Sequence, residues 1–251
     1  MRRLLSLLFL MVIGGLPASA QVCGSADVQG AYGFQLSGTT TIGVDGPQPL
    51  VAIGRLVFDA ERVVSGVSSV DLNGYFLGNP VTGTYEFKTD CTLTFQLQDD
   101  SGAFQHFTGV AKEGGASVEF HQTDDGAGGH GVLEKTPNDC KTESFHGSYA
   151  FALSGTASQF ATDQPAGSVF SVQGTVDADG VGNLALTTAG GKTTGSYKLD
   201  SDCIAEMELG VSDGNSASIL KMRGVLVNEG KRLLAVESDP ARTATARFTA
   251  K

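Results

Sequence analysis

The feature that most constrains this chain is an internal duplication. Cys23 is followed, after six residues, by Gly30-Ala31-Tyr32-Gly33-Phe34-Gln35-Leu36-Ser37-Gly38. Cys140 is followed, after six residues, by Gly147-Ser148-Tyr149-Ala150-Phe151-Ala152-Leu153-Ser154-Gly155. Each copy then reaches one shared phrase. It is Gly83-Thr84-Tyr85-Glu86-Phe87-Lys88-Thr89-Asp90-Cys91 in the first and Gly195-Ser196-Tyr197-Lys198-Leu199-Asp200-Ser201-Asp202-Cys203 in the second. The match runs on past the cysteines, with Gly109-Val110 aligned to Gly224-Val225 and Thr123-Asp124 to Ser238-Asp239, both at an offset of 115. Each copy of about 110 residues must therefore bury a core of its own, which a domain of that size does without much margin.

Within each copy the apolar residues alternate with period two, the mark of strands with one buried face. Tyr32, Phe34 and Leu36 share a face, as do Tyr85 and Phe87, and Leu93, Phe95 and Leu97. The second copy repeats this with Tyr149, Phe151 and Leu153, then Tyr197 and Leu199, then Ala205, Met207 and Leu209. Strands are expected near 30–39, 51–59, 64–73, 81–88, 92–98, 104–111, 117–123 and 130–135. In copy two they fall near 147–157, 168–176, 182–188, 193–199, 204–210, 217–227, 232–238 and 243–250. Glycine-containing turns such as Asn73-Gly74 and Asp179-Gly180 join them, the latter read as a type I′-like hairpin turn. Short successive connections give a meander, and closure into a barrel removes the exposed edges. The expectation is an all-β chain of two tandem antiparallel meander β-barrels, about eight strands each. An immunoglobulin-like pair of sandwiches is the alternative. The divisions are 1–20 for a signal peptide, 21–135 for the first repeat and 136–251 for the second.

The chain opens with Met1-Arg2-Arg3, an apolar run from Leu4 to Leu16, and Pro17-Ala18-Ser19-Ala20. That is the pattern of a secretory signal peptide cut after Ala20, and the run is too short for a membrane span. Lipid anchoring at Cys23 would need a small residue before it, and Val22 stands there. The expected location is secreted or periplasmic. Residues 21–251 keep 15 Lys+Arg (17 less Arg2 and Arg3) against 27 Asp+Glu, which argues against nucleic acid and anionic membranes as partners. Four cysteines in an exported chain normally form two disulfides, in one of three connectivities. The repeat favours Cys23 with Cys91 and Cys140 with Cys203, each stabilising its unit by up to ~4 kcal/mol.

Gly-x-Tyr-x-Phe, the Gly-[Thr/Ser]-Tyr-x-[Phe/Leu]-x-x-Asp-Cys phrase and the late Gly-Val strand resemble a family of exported, uncharacterised bacterial proteins. Their units are similar to the allene-oxide-cyclase-like, calycin-type barrel. The resemblance covers nearly all of residues 21–251 and implies a barrel fold and, by fold analogy, a cyclase or isomerase acting on an apolar substrate. No cyclase catalytic residue can be placed on this sequence. Lipocalins, another calycin group, carry Gly-x-Trp on their first strand, where this chain has Gly30-Ala31-Tyr32 and no tryptophan.

Several motifs look chemical and fail on context. Gly210-Val211-Ser212-Asp213-Gly214 fits the serine-hydrolase pattern, but that chemistry needs a strand-to-helix elbow and a later histidine, and none follows His146. Gly126-Ala127-Gly128-Gly129-His130-Gly131 fits the dinucleotide fingerprint but precedes a strand, not a helix. Gly191-Lys192-Thr193 echoes a phosphate loop whose first glycine is replaced by Leu186. Asp177-Ala178-Asp179-Gly180 resembles a calcium loop without the bidentate acid, Thr188 standing at its twelfth position. His106 and His121, with Glu119, flank a hairpin turned at Gly114-Gly115 and could share a face within metal-ligand reach. Isolated surface histidines are the favoured reading. No catalytic residue, metal ligand or cofactor is assigned.

Three functional classes remain. One is a non-catalytic module whose inner aromatic face (Tyr32, Phe34, Tyr85, Phe87, Phe95) packs as core or holds a small apolar ligand. The second is the cyclase or isomerase of the resemblance, which would need polar groups inside a barrel where the alternation places few. The third is a surface or matrix interaction protein using its two copies for avidity with a protein partner.

Overall fold

The computed structural model describes residues 23–24, 26–41, 46–212 and 217–251. The expected signal peptide lies outside them, as do Asp213 and Gly214 of the hydrolase-like motif. The first copy forms β1 (Gly30–Thr41), β2 (Pro47–Phe58), β3 (Val63–Leu72), β4 (Tyr75–Phe87), β5 (Thr92–Asp99), β6 (Phe104–Lys112), β7 (Ser117–Gln122) and β8 (His130–Lys135). The second forms β9 (His146–Ala157), β10 (Val169–Asp179), β11 (Asn183–Thr188), β12 (Gly191–Leu199), β13 (Ile204–Ser212), β14 (Ala217–Val227), β15 (Arg232–Glu237) and β16 (Arg242–Ala250). Each set of eight is an antiparallel meander closed into a barrel, through β1 with β8 and β9 with β16. This is the tandem barrel and not the sandwich pair. Among the described residues no helix is long and apolar enough to cross a membrane.

Each barrel is shut at one end by the disulfide segment that precedes it. Cys23 is bonded to Cys91 and Cys140 to Cys203, with Cα atoms 5.1 Å apart in both. Disulfides are rare in chains kept in a reducing cytoplasm. Cys91 and Cys203 sit at equivalent turns with φ of 67° and 66°. The turn is stabilised locally: Asp90 Oδ1 accepts from Thr92 N–H, and Asp200 Oδ1 from Ile204 N–H. Buried tyrosines tie the strands to the closed end. Tyr32 donates to Gly115 O at 2.6 Å, and Tyr149 to Gly230 O at 3.0 Å. Tyr197 reaches Phe145 O at 2.7 Å, and Tyr85 reaches Asp59 O. These bonds satisfy hydroxyls that burial would otherwise leave without water, and desolvation pushes the Tyr32 and Tyr149 hydroxyls up from the ordinary phenol range.

Two turns differ from their sequence reading. β4 begins at Tyr75, not near 81, because Asn73 and Gly74, with φ of 47° and 95°, close a two-residue type I′ hairpin immediately after β3. Asp179-Gly180 is not a two-residue turn. Residues 180–182 form the loop, and the Asp179 carboxylate accepts the N–H groups of Val181 and Asn183 and the Asn183 amide. The aspartate that suggested calcium is occupied in building its own loop.

The barrels pack side by side through β1 and β2 of the first and β13 to β16 of the second. Val51 and Ile53 meet Ile204, Val225, Val227, Leu234 and Val236 in a buried apolar seam. Hence β2 is buried on both faces, and the alternation breaks in Leu50-Val51-Ala52-Ile53. Gly33 faces the same seam. A Cβ there would lie 2.5 Å from Val227 Cγ1 and 2.7 Å from Val225 Cγ1, whereas its counterpart in the second copy, Ala150, is exposed. Gln35 donates to Ala235 O at 2.7 Å and Ala246 O at 3.0 Å and accepts from Arg247 Nε at 3.1 Å. Gln35, buried in the seam, thus has both ends of its amide paired.

Candidate functional site

The first barrel is not filled. A cavity of about 240 Å³ opens at the end opposite the disulfide. Its floor is aromatic, from Phe34, Phe95, Phe107 and Phe120. Phe95 and Phe107 stack at 4.7 Å, and Phe120 meets both edge-on. Its walls are Leu36, Ala52, Leu56, Val81 and Leu97. Register places these on one face: Leu36 opposite Ala52, Ala52 opposite Val70, Val70 opposite Leu77, and Leu97 opposite Gln105. An apolar cavity of roughly 150 Å³ holds benzene. The volume here suits a ligand of on the order of ten non-hydrogen atoms.

The mouth has two unlike halves. One is apolar, from Leu50, Val70, Leu72, Tyr75 and Leu77. Leu77 and Tyr75 are 61% and 54% exposed, so the greasy lip reaches solvent. The other half is polar, from Asn79, Asp99, Gln105 and Gln122. The sequence reading put few polar groups inside and is corrected here: the alternation holds at the floor, and the inward face turns polar as the strands rise out of the core. Asp99 Oδ1 accepts from the Ser101 N–H and hydroxyl. Gln122 Nε2 donates to Asp124 Oδ2 at 3.1 Å, while Gln122 Oε1 is buried with no hydrogen-bond partner.

The second barrel is closed where the first is open. Its β11–β12 hairpin is four residues shorter on each strand, β3 having 10 and β4 13 against 6 and 9. The lip built by Val70 to Leu77 therefore has no counterpart. Leu220 stands where Gln105 does, and Leu186 where Gly66 does; both leucines are fully buried. Glu237 matches Gln122 and Arg242 matches Ala127 at the shared offset. The two charges form an ion pair of 3.5 Å inside the barrel, with Arg242 also 3.4 Å from Asp163 and 5.1 Å over the Phe170 ring.

Glu237 and Asp71 are the carboxylates with the largest perturbation. Burial pushes Glu237 up to about 7, against the pull of Arg242. Burial pushes Asp71 up to about 6, opposed by the Gly74 N–H it accepts at 2.7 Å. Asp71 lies on the outer face of β3, against the second barrel, so neither group faces the cavity.

Of the inner aromatics singled out in sequence, Phe34 and Phe95 line the cavity. Tyr32 and Tyr85 lie at the closed end with their hydroxyls on backbone carbonyls, and Phe87 is half-buried against the same core. The histidines are not gathered. His106 and His121 do lie on one outer face, but His106 Nδ1 is paired with Asp124 at 2.7 Å, His121 is near His130, and Glu119 is taken by Lys112 at 2.6 Å. Among the described residues no three His, Cys, Asp or Glu side chains converge on a metal position. Gly126 to Gly129 is a loop in which Ala127 bridges to Thr40, and His130 and Gly131 begin β8, with no helix. Ser212 ends a strand whose next described element is another strand. Lys192 lies at the start of β12, in a hairpin. Sequence reasoning missed Tyr75 and Leu77 because it began β4 too late; the signal was Asn73-Gly74 itself, which permits a turn with no loop around it.

No family model matches the chain, and no curated protein matches its sequence. Among solved structures, the chain is similar to a Nitrosomonas europaea protein provisionally named AttH, at 8% identity and a TM-score of 0.28, over 96% of this chain and 99% of the other. It also aligns with a porin-like protein of Bacteroides uniformis at 10% identity and a TM-score of 0.16, over 87% and 96%. At such scores neither likeness carries an argument, and the fold rests on the strand pairing described above.

Proposed function

We propose that this is an exported binding protein that carries one small amphiphilic molecule in its first barrel, with the second barrel as its filled, rigid support. The observation that carries this reading is the 240 Å³ cavity with an aromatic floor and a half-polar mouth. Ligand sites are typically concave, largely apolar and furnished with a few polar groups that orient the ligand. Two disulfides, together with the signal-like start of the sequence, support export. The calycin-type kinship is part of this proposal and is supported by the closed eight-stranded meanders. The cyclase alternative would need an acid or base at the cavity. Asp99 and Tyr75 are the ionisable side chains of the described lining; Asp99 is engaged by Ser101, and Tyr75 packs edge-on against Phe160 at 4.9 Å.

Calorimetric titration with 1-octanol tests the reading. Binding with a Kd on the order of 10–100 µM and a negative heat-capacity change is expected. Ala52→Phe, which fills the cavity from its wall, should abolish it while leaving a cooperative melt. Absence of binding by octanol and by similarly sized apolar compounds would overturn the carrier.

A further inference from the structure

We infer that the ligand of the first barrel carries a hydrogen-bond-donating head, cationic in preference to neutral, and that carboxylate-headed amphiphiles are rejected. This rests on the carrier reading above and adds the chemistry of the head group. Two independent features point the same way. The first is Gln122. Its amide is oriented by Asp124, whose carboxylate accepts and so takes the Nε2 side. That leaves Oε1 as the group offered elsewhere, and it is buried without a partner in a residue that lines the cavity. A buried acceptor left unpaired is costly, and a turn of the Gln122 side chain would present it to a ligand O–H or N–H. A carboxylate cannot donate, and would set oxygen against oxygen.

The second feature is the distribution of charge. The five Lys and Arg of residues 21–135 are Arg55, Arg62, Lys88, Lys112 and Lys135. Arg62, Lys88, Lys112 and Lys135 lie at strand ends or turns of the closed end, and Arg55 is on the outer face of β2, paired with Asp202 at 3.2 Å. The described loops of the open end, 73–74, 100–103 and 123–129, contain no Lys or Arg and carry Asp100, Asp124 and Asp125. Asp99 adds a carboxylate on the wall itself. His106 is held by Asp124, and Arg242 across the seam by Glu237 and Asp163. The mouth is thus a one-signed field beside a low-dielectric cavity. Such an arrangement concentrates cations and repels anions, and salt weakens it.

The test compares four chains of matched size at neutral pH and low salt: octylamine, 1-octanol, heptyl methyl ether and octanoate. Octylamine is expected to bind tightest. Octanol should follow, with the ether, which accepts but does not donate, about fivefold weaker than octanol. Octanoate should be at least about tenfold weaker than octanol. Raising salt to about 0.5 M should narrow the gap between octylamine and octanoate. Gln122→Met should close the gap between octanol and ether. If that variant fails to fold, Asp99→Asn should narrow the gap between octylamine and octanol. Octanoate binding as tightly as octanol would overturn the head-group inference and leave the carrier standing. Failure of all four to bind would overturn the carrier itself.

Discussion

The two barrels share a strand plan, a disulfide closure and a tyrosine-anchored end, and they differ in what fills them. In the second, Leu186, Leu220 and Met222 meet inside, and the Glu237–Arg242 pair sits on top. In the first, the matching positions hold Gly66, Gln105, Phe107, Gln122 and Ala127, and a longer hairpin raises the wall around the space they leave. A duplicated barrel can therefore separate support from binding by changing a handful of inward positions near one rim. The seam then fixes one unit on the other.

The comparison can be broken first at what the copies share. Removing Cys23–Cys91 or Cys140–Cys203 by paired serine substitutions should destabilise the affected barrel by about 2–5 kcal/mol in either case, read by chemical denaturation. A large cost in one copy and none in the other would show that the closed ends are not equivalent. Next comes what they do not share. Leu220→Ala should cost about 2–5 kcal/mol, since it opens a hole in a packed core. Gln105→Ala, at the matching place in the open barrel, should cost under about 1 kcal/mol, because the water-facing mouth loses no packed neighbour. Equal costs would mean that the first barrel is as filled as the second.

A smaller effect concerns pH. Asp71 and Glu237 have folded values near 6 and 7, above the carboxylate range of an unfolded chain, because of burial. Between their unfolded and folded values the native protein holds protons that the unfolded chain has released. Their contribution is therefore present at low pH and is lost as pH rises through about 6 to 7. Glu237 faces Arg242, Asp239 and Asp71, and Asp71 faces the Gly74 N–H and Thr243. The melting temperature should fall between about pH 5 and about pH 8, and the double variant Asp71→Asn, Glu237→Gln should flatten that slope. A slope unchanged in the variant would assign it to other groups. Smallest are the anchors. Tyr32→Phe and Tyr149→Phe should each cost about 1 kcal/mol, and a difference between them would measure how far the Gly115 and Gly230 contacts differ.

Much of the fold was legible because the duplication exposes itself twice. Tyr32 with Tyr149, Phe34 with Phe151 and Cys91 with Cys203 mark equivalent inward or closing positions, and the alternation around them is local information. The cavity was less legible. Phe34 and Phe95 read equally well as core and as lining, since an inward aromatic has the same pattern in a filled barrel and an empty one. The mouth was misread at Tyr75 to Pro80, where β4 starts directly after the Asn73-Gly74 turn and not near 81. Gln122 and Gln105 were passed over, because an amide on a strand ordinarily points to water.

By itself, then, the sequence determined the two units, their meander of strands and the compartmental chemistry of their cysteines, since repetition, period and turn residues act between near neighbours. The tertiary structure alone decided that one barrel is open and the other shut. Whether inward side chains meet depends on volumes summed across eight strands, on a hairpin four residues taller, and on a seam that buries the far face of β2. Those are sums over residues far apart in the chain, and no local pattern records them.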